Sequence, residues 1–393
     1  MARQSSQPEF SERQLGRWKL LDDFRCRLAQ AEAAGRLHPT WESPRRKFLS
    51  ADYLSLFLFG LLNPVVRTMR GLCKTASKLP RVQKEVCRHP VSLGSFSEAQ
   101  HVLDPALLER VFHQLGEEVH RAQAEEVRAR LSPWRIQDST LWEALPRMSW
   151  ALWRTQGKTQ RAVRLHLSLH VLEDKPVRAK VTRGAWCERR AWKENWQEGD
   201  AYIGDRNFGS DFKIFGQLNR RHCTYVLRLN DRATIHVEEE LPVNPEDRAQ
   251  GVIRQAWARV GSQLCYRSVR VRLVWVQGPK EVLVLVTNQS PEQLSAELVS
   301  QLYRCRWQVE LFFRWIKCIL GCRHWLAESP EGVAIQVYLA LIAALLLQLY
   351  TGRRPTKRMM ELIQLYLLGV ATLDDLEAGL ERETARLARK KSA

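Results

Sequence analysis

Apolar positions at Leu15, Trp18, Leu21, Phe24 and Leu28 recur every three or four residues, behind a capping-box spacing of Ser11 and Gln14, and predict an amphipathic helix. Pro39 and Pro44 break that period. A nearly unbroken apolar run over 53–62, ended by Asn63-Pro64, predicts a second helix, and a third segment over 65–75 leads to Leu79-Pro80. Ser95 and Glu98 have capping-box spacing. Asp104-Pro105 is a cap followed by proline at the first helical position, opening a helix that the pattern carries to about residue 131. Residues 1–130 therefore read as an all-helical module.

After Ser132-Pro133 the period shortens to that of strands. A short strand over 134–138, a second over 163–172 and, past the turn Glu173 to Pro176, a third over 177–181 suggest a three-stranded meander. Residues 201–205 form a fourth strand ending in a carboxylate, with a helix after Phe208. Strand patterns return at 225–229, 234–238, 266–276 and 281–287, the last two joined by Gly278-Pro279, and from Ser290 the chain reads as helical to its end. The longest apolar run, 337–347, has eleven residues, short of the roughly 20 that a membrane helix needs, and reads as a buried helix. There is no internal repeat. The pattern divides the chain into a helical module (1–130), a first α/β part (131–222), a β-rich insertion (223–289), a second α/β part carrying a helix (290–350) and a helical C-terminal segment (351–393).

Composition adds a partner. Lys and Arg number 61 against 43 Asp and Glu, a formal net charge of +18 on 393 residues, while 45% hydrophobic residues suffice for a sizeable core and exclude a disordered basic tail. Because the excess charge is spread along the chain, it reads as a surface field for phosphate, with nucleic acid the leading partner. Arg45-Arg46-Lys47 suits either a DNA contact or a solvated loop. Nine cysteines, an odd number without dense pairing, point to a reducing, cytoplasmic setting, and the polar first ten residues carry no apolar signal segment. Fourteen Trp offer core volume and flat faces for stacking bases.

Two carboxylates, Asp138 and Asp205, sit at strand ends, and a third, Glu310, lies on a helix; position alone does not separate them from ordinary surface acids. At about 100° per residue, Tyr303, Arg306, Glu310 and Lys317 fall within a stripe about 60° wide on one helix face. A carboxylate between two cations makes sense where the cations hold a phosphate whose oxygen a metal also binds. The same spacing suits a solvated face laced with ion pairs. Cys318, Cys322 and His324 lack a clear fourth ligand and read as buried thiols beside a histidine, and His166 and His170 read as structural. Val269, Val271, Leu273 and Trp275 alternate as one apolar strand face, leaving Arg270 and Arg272 on the face open to DNA.

The pattern Tyr303-x2-Arg306-x3-Glu310-x6-Lys317 resembles the Y-R-E-K signature of insertion-sequence 4 type bacterial DDE transposases. Ile136-Gln137-Asp138-Ser139-Thr140 resembles the family's first-aspartate strand, and Ile203-Gly204-Asp205-Arg206-Asn207-Phe208 its second. Val286-Thr287-Asn288 is also similar, and the resemblance covers about residues 90–350. It implies an α/β, RNase H-like catalytic core whose third acid follows a β-rich insertion, in keeping with the 105 positions between Asp205 and Glu310. It further implies that Asp138, Asp205 and Glu310 are catalytic and hold two Mg²⁺ ions, with Mn²⁺ as a substitute. Tyr303, Arg306 and Lys317 would contact the DNA backbone, with Trp307 and Trp275 stacking on bases. The implied reaction is cut-and-paste transposition: binding terminal inverted repeats, cleaving the ends and joining the 3′-hydroxyl to double-stranded target DNA. A homodimer in a DNA synaptic complex, with 357–391 as an interface, and a nucleoid-associated cytoplasmic protein without a membrane complete the expectation. A non-catalytic DNA-binding relative and a metal-dependent nuclease of the same fold are the alternatives.

Overall fold

The computed structural model describes residues 19–35, 38–63, 65–66, 68–120, 125–155, 158–262, 269–322, 324–367 and 370–392; Ser11, Gln14, Leu15 and Trp18 of the first expected helix lie outside them. The chain groups into two units, each drawn from distant stretches of sequence. Met1–Arg121, Trp142–Ala162 and Arg314–Ala393 form one, and Ala122–Leu141 with Val163–Phe313 the other. Helices from both ends of the sequence thus share a unit.

In that first unit the long apolar run becomes the Pro330–Thr351 helix. Ser329 caps it by accepting the Gly332 N–H at 3.0 Å, Pro330 takes the first helical position, and Gly352 ends it in the left-handed conformation at φ 68°. It is apolar all round because it packs against the helices Ser50–Leu62, Leu93–Val102 and Pro105–Glu118. Among the described helices it is long and apolar enough to cross a membrane, but 89% of its most apolar window is buried. Two expected boundaries move. Ser92, rather than Ser95, caps the Leu93–Val102 helix, accepting the Ser95 N–H at 3.0 Å. The helix begun at Asp104 stops at Glu118, and Glu125–Leu131 is a separate helix.

The strands are β1 Trp134–Glu143, β2 Leu152–Thr155, β3 Lys158–His170, β4 Lys175–Arg183, β5 Ala201–Gly209, β6 Thr224–Leu229, β7 Ile235–Leu241, β8 Val252–Val260, β9 Val271–Gln277 and β10 Val282–Thr287. β2 pairs antiparallel with the start of β3 inside the first unit. The second unit is built on a sheet in the order β3-β1-β5-β6-β10-β9-β8-β7, with β4 on the other side of β3. β1, β5 and β6 run parallel, while β3–β4 and every pair from β6 outward to β7 are antiparallel. The portion β4-β3-β1-β5-β6, an antiparallel meander joined to two parallel strands, is the RNase H-like core. β6 lies within the stretch that the pattern placed in the insertion, yet it is the core's last parallel strand, and β10, β9, β8 and β7 extend the same sheet. β8 escaped the hydrophobic pattern because Gln255, Ala256 and Ala258 hold three of its five buried positions, and none of them marks a strand.

One face of this sheet carries a cluster of Trp192, Tyr202, Phe208, Phe215 and Tyr225, with Trp192 and Phe208 rings 4.6 Å apart. The Ala296–Cys305 helix, capped by Ser295, packs on β5, β6, β8 and β9. Arg272 of β9 is wholly buried rather than open to DNA, because a strand covered by a helix has no solvent face for alternation to expose. Its Nη2 donates to the Leu294 carbonyl at 2.6 Å, while Nε and Nη1 have no hydrogen-bond partner, and burial pushes its pKa down to about 10. A buried, half-satisfied cation is costly. Arg272→Met should therefore keep or raise the melting temperature, whereas Arg272→Ala, which also leaves a cavity, should lower it; equal losses in thermal melts would show that the Leu294 bond outweighs the burial cost.

Candidate active site

Ile136 pairs with Ile203 and Gln137 with Gly204 on the parallel strands β1 and β5. One residue further along each strand come Asp138 and Asp205, neighbours because parallel strands in register advance together, about 4.8 Å apart in the pairing direction. Short backbone bonds fix both carboxylates. Ser139 N–H donates to Asp138 Oδ1 at 2.7 Å, and Asn207 N–H donates to Asp205 Oδ1 at 2.9 Å. Arg164 holds Ser139 in turn, donating from Nη1 to its Oγ at 2.8 Å.

Glu310 arrives from the helical segment that crosses the sheet. Ala296–Cys305 is followed by Trp307–Arg314, with Arg306 in helical conformation at the junction. The expected i, i+4 relation holds here: Arg306 Nη2 lies 2.6 Å from Glu310 Oε1, and its Nη1 lies 3.7 Å from Asp138 Oδ2. The guanidinium thus bridges the helix acid and the first strand acid. Burial works against the Arg306 cation, but Tyr303, Glu310 and Asp138 overcome it and hold its pKa above the usual value. Tyr303 lies beneath, its ring centroid 6.0 Å from the guanidinium carbon, and burial pushes its phenol upward.

Asp138 is the most perturbed acid of the site. Burial first, then the charges of Glu188 and Asp205, push its pKa up to about 7, against the Ser139 hydrogen bond and Arg306. A folded pKa above the unfolded value gives stability that is complete below about pH 4 and lost as pH rises through about 7. In chelator, Asp138→Asn should therefore melt above the wild type at pH 8, and the difference should shrink toward pH 5. Melting curves at both pH values check this, and a constant difference would contradict it.

These donors suit hard divalent cations in kind: carboxylate oxygens, one of them buried enough to resist ionisation, with a cation already bridging two of them. Among the described residues, no three of His, Cys, Asp or Glu stand close enough to ligate one ion together. That applies also to Cys318, Cys322 and His324; Cys322 is buried, its thiol pushed up to about 12, and Cys318 is exposed.

The remaining expected contacts divide. Trp307 is 50% exposed. Trp275 packs against the core cluster, with the Arg254 guanidinium carbon 4.5 Å over its ring, so that face is already covered. Arg270 is exposed but paired with Glu238 and Glu239, and Arg254 and Arg259 pair with Glu240 and Glu238, leaving this part of β7, β8 and β9 close to neutral. Lys317 belongs to the first unit, where its ammonium lies 4.8 Å over the Trp142 ring. It sits in a π-helical turn, Trp315–Ile319, so a stripe counted at a constant α-helical angle does not extend to it. His166 and His170 are buried on β3. Glu188 escaped the sequence reading, and Asn207 entered it only as part of the Asp205 segment: Asn207 Nδ2 donates to Glu188 Oε2 at 2.6 Å, a contact across 19 positions that no local spacing announces.

A family model described as the transposase DDE domain matches residues 132–346. The chain belongs to the DDE transposase family. All three strand and helix acids and the Tyr303 to Lys317 pattern lie inside the matched span. The chain is 25% identical over 220 residues to the "Probable transposase for insertion sequence element IS5377" of Geobacillus stearothermophilus, covering 55% of this chain and 56% of that relative. It is 35% identical over 65 residues, 16% of this chain and 18% of the other, to the transposase for insertion sequence element IS421 of Escherichia coli. The chain thus spans about half the length of the first relative and under a fifth of the second. Among solved structures, a cryo-EM piggyBac transposase synaptic complex with hairpin DNA is similar at TM-score 0.43 and 10% identity, covering 92% of this chain and 79% of that one.

Proposed function

We propose that this chain is a cut-and-paste transposase that binds the terminal inverted repeats of its element, hydrolyses the end phosphodiester and joins the freed 3′-hydroxyl to target DNA. The observation that carries the reading is the meeting of Asp138 and Asp205 on adjacent parallel strands with Glu310 tied to Asp138 through Arg306. In this reading Asp138, Asp205 and Glu310 hold two divalent cations, normally Mg²⁺ with Mn²⁺ as a substitute. Such ions, when bound, activate the attacking water or 3′-hydroxyl and stabilise the leaving oxygen.

The chain's own groups have separate tasks. The Ser139 and Asn207 N–H groups aim the two aspartates. Arg306, with five donors in a planar fork, keeps the carboxylates from repelling one another and has donors left for a backbone phosphate, with Tyr303 beneath it. Trp307 offers an exposed ring on which a displaced base can stack, worth about 1–3 kcal/mol. Lys317 is assigned to the backbone on its resemblance alone. Pairing two ends requires at least a homodimer on DNA, and the C-terminal helices Lys357–Leu367 and Leu373–Ser392, which pack on each other, are its proposed interface. The working protein acts in the cytoplasm, on the nucleoid.

The test is incubation with Mg²⁺, a labelled duplex carrying the element's own terminal repeat, and a plasmid. Cleaved ends joined to the plasmid are expected. Binding without cleavage would favour a non-catalytic relative, and cleavage without joining a nuclease.

A further inference from the structure

One face of Asp138 opens on a crevice that is also lined by Gln137, His166, Ser168, Glu188 and Asn195. Two features beside it go beyond the three family acids. Asn207 ties Glu188 to the site, donating its backbone N–H to Asp205 at 2.9 Å and its side-chain Nδ2 to Glu188 at 2.6 Å, so one residue sets the position of both carboxylates. His166, only 6% exposed, lines the same crevice; its Nε2 is 3.0 Å from Thr182 Oγ1, while its Nδ1 is buried without a protein partner. A buried ring nitrogen lacking a partner is costly unless water or a ligand meets it.

Among the described residues no three such side chains stand close enough to ligate one ion directly. That spacing suits the chemistry of a small hydrated cation. Mg²⁺ sheds its waters reluctantly and is usually held through one or two carboxylates, so the acids beyond them meet its water molecules. Partners at that range fix the inner ligands and the water shell, and removing one typically weakens metal binding about 10–100-fold.

We propose that Glu188, held by Asn207, is the outer acid of the divalent-cation site at Asp138 and Asp205: its carboxylate accepts hydrogen bonds from the cation's water shell, with His166 Nδ1 a further fixed partner for the same water. The inference rests on the transposase reading above, because it needs a cation at the two aspartates. It makes Glu188 a positioning residue.

Calorimetric titration of the purified chain with Mn²⁺, and separately with hexaamminecobalt(III), whose inert ammines confine it to outer contacts, tests this without DNA or turnover. Four variants are compared with the wild type: Glu188→Gln, Asn207→Ala, Asp205→Asn and Glu194→Gln, the last removing an exposed acid from the same Glu188–Glu194 helix as a control for charge alone. Glu188→Gln and Asn207→Ala should each weaken both probes by about tenfold or more, and Glu194→Gln by less than about twofold. Circular dichroism melts establish that each variant folds; should Glu188→Gln not fold, Asn207→Ala decides. Wild-type affinity in Glu188→Gln or Asn207→Ala, or a loss no larger than in Glu194→Gln, would overturn the role of Glu188. If Asp205→Asn also binds Mn²⁺ as the wild type does, the metal reading itself fails.

Discussion

Glu310→Ala should abolish end cleavage and joining while leaving terminal-repeat binding nearly unchanged. A metal held at a reacting phosphate supplies several kcal/mol of charge stabilisation, and each 1.4 kcal/mol is tenfold in rate, so the expected fall is about 10³-fold or more. Binding should change by less than about threefold, because affinity for DNA comes mainly from Lys and Arg on phosphates. The substitution also strips Arg306 of its 2.6 Å partner, leaving the guanidinium to Asp138 and Tyr303. Glu310→Gln, which keeps an oxygen for Arg306 but not the charge, separates the two effects: if cleavage depends on metal ligation, Gln should be nearly as inactive as Ala. Single-turnover cleavage beside a gel-shift titration measures both, and substantial cleavage by either variant would remove Glu310 from the chemistry.

Gly209→Ala should cost both stability and rate, though the residue bears no functional group. A Cβ at this position would lie 1.9 Å from the Arg228 carbonyl oxygen and 2.8 Å from its carbon, both backbone atoms of β6 that no side-chain rotation can move. Gly209 pairs with Leu229 just past an irregularity in the β5–β6 register, so the strands must part there. Overpacking of this kind typically costs about 1–3 kcal/mol or more. Because Asp205 lies four residues upstream on the same strand, a displacement of about 1 Å at the carboxylate could cost about 10²-fold in turnover. Gly94→Ala is the contrast: its Cβ would meet only Ser92 Oγ at 3.8 Å inside a helix, and it should be neutral or slightly stabilising. Thermal melts and single-turnover rates on both variants give the answer, and a Gly209→Ala protein as stable and active as the wild type would refute the close approach of β5 and β6.

What the sequence disclosed followed local rules. Asp138 and Asp205 were read at strand ends, but β1 and β5 run on to Glu143 and Gly209; the two meet because parallel strands in register advance together, and Arg306 and Glu310 because a helix repeats its faces. Lys317 was misjudged in geometry because a π-helical turn interrupts the repeat, which the residue types do not announce. Arg272 was expected at a surface because alternation marks two faces but not whether the second is covered. Glu188 lies 50 positions from Asp138 in sequence, and only folding brings them to one crevice. The two units likewise interleave, so composition along the chain could not draw their limits.

The central claim is that Asp138, Asp205 and Glu310 together bring two hard cations onto the scissile phosphate. It is met most directly by single-turnover cleavage of a terminal-repeat duplex with sulfur replacing one non-bridging oxygen of that phosphate. Sulfur is a poor partner for Mg²⁺ and a better one for the softer Mn²⁺. The wild type should cleave this duplex at least about tenfold more slowly than the all-oxygen duplex in Mg²⁺ and recover in Mn²⁺, while Glu310→Ala should cleave neither in either ion. Cleavage indifferent to sulfur in both ions, or proceeding in chelator, would contradict the claim.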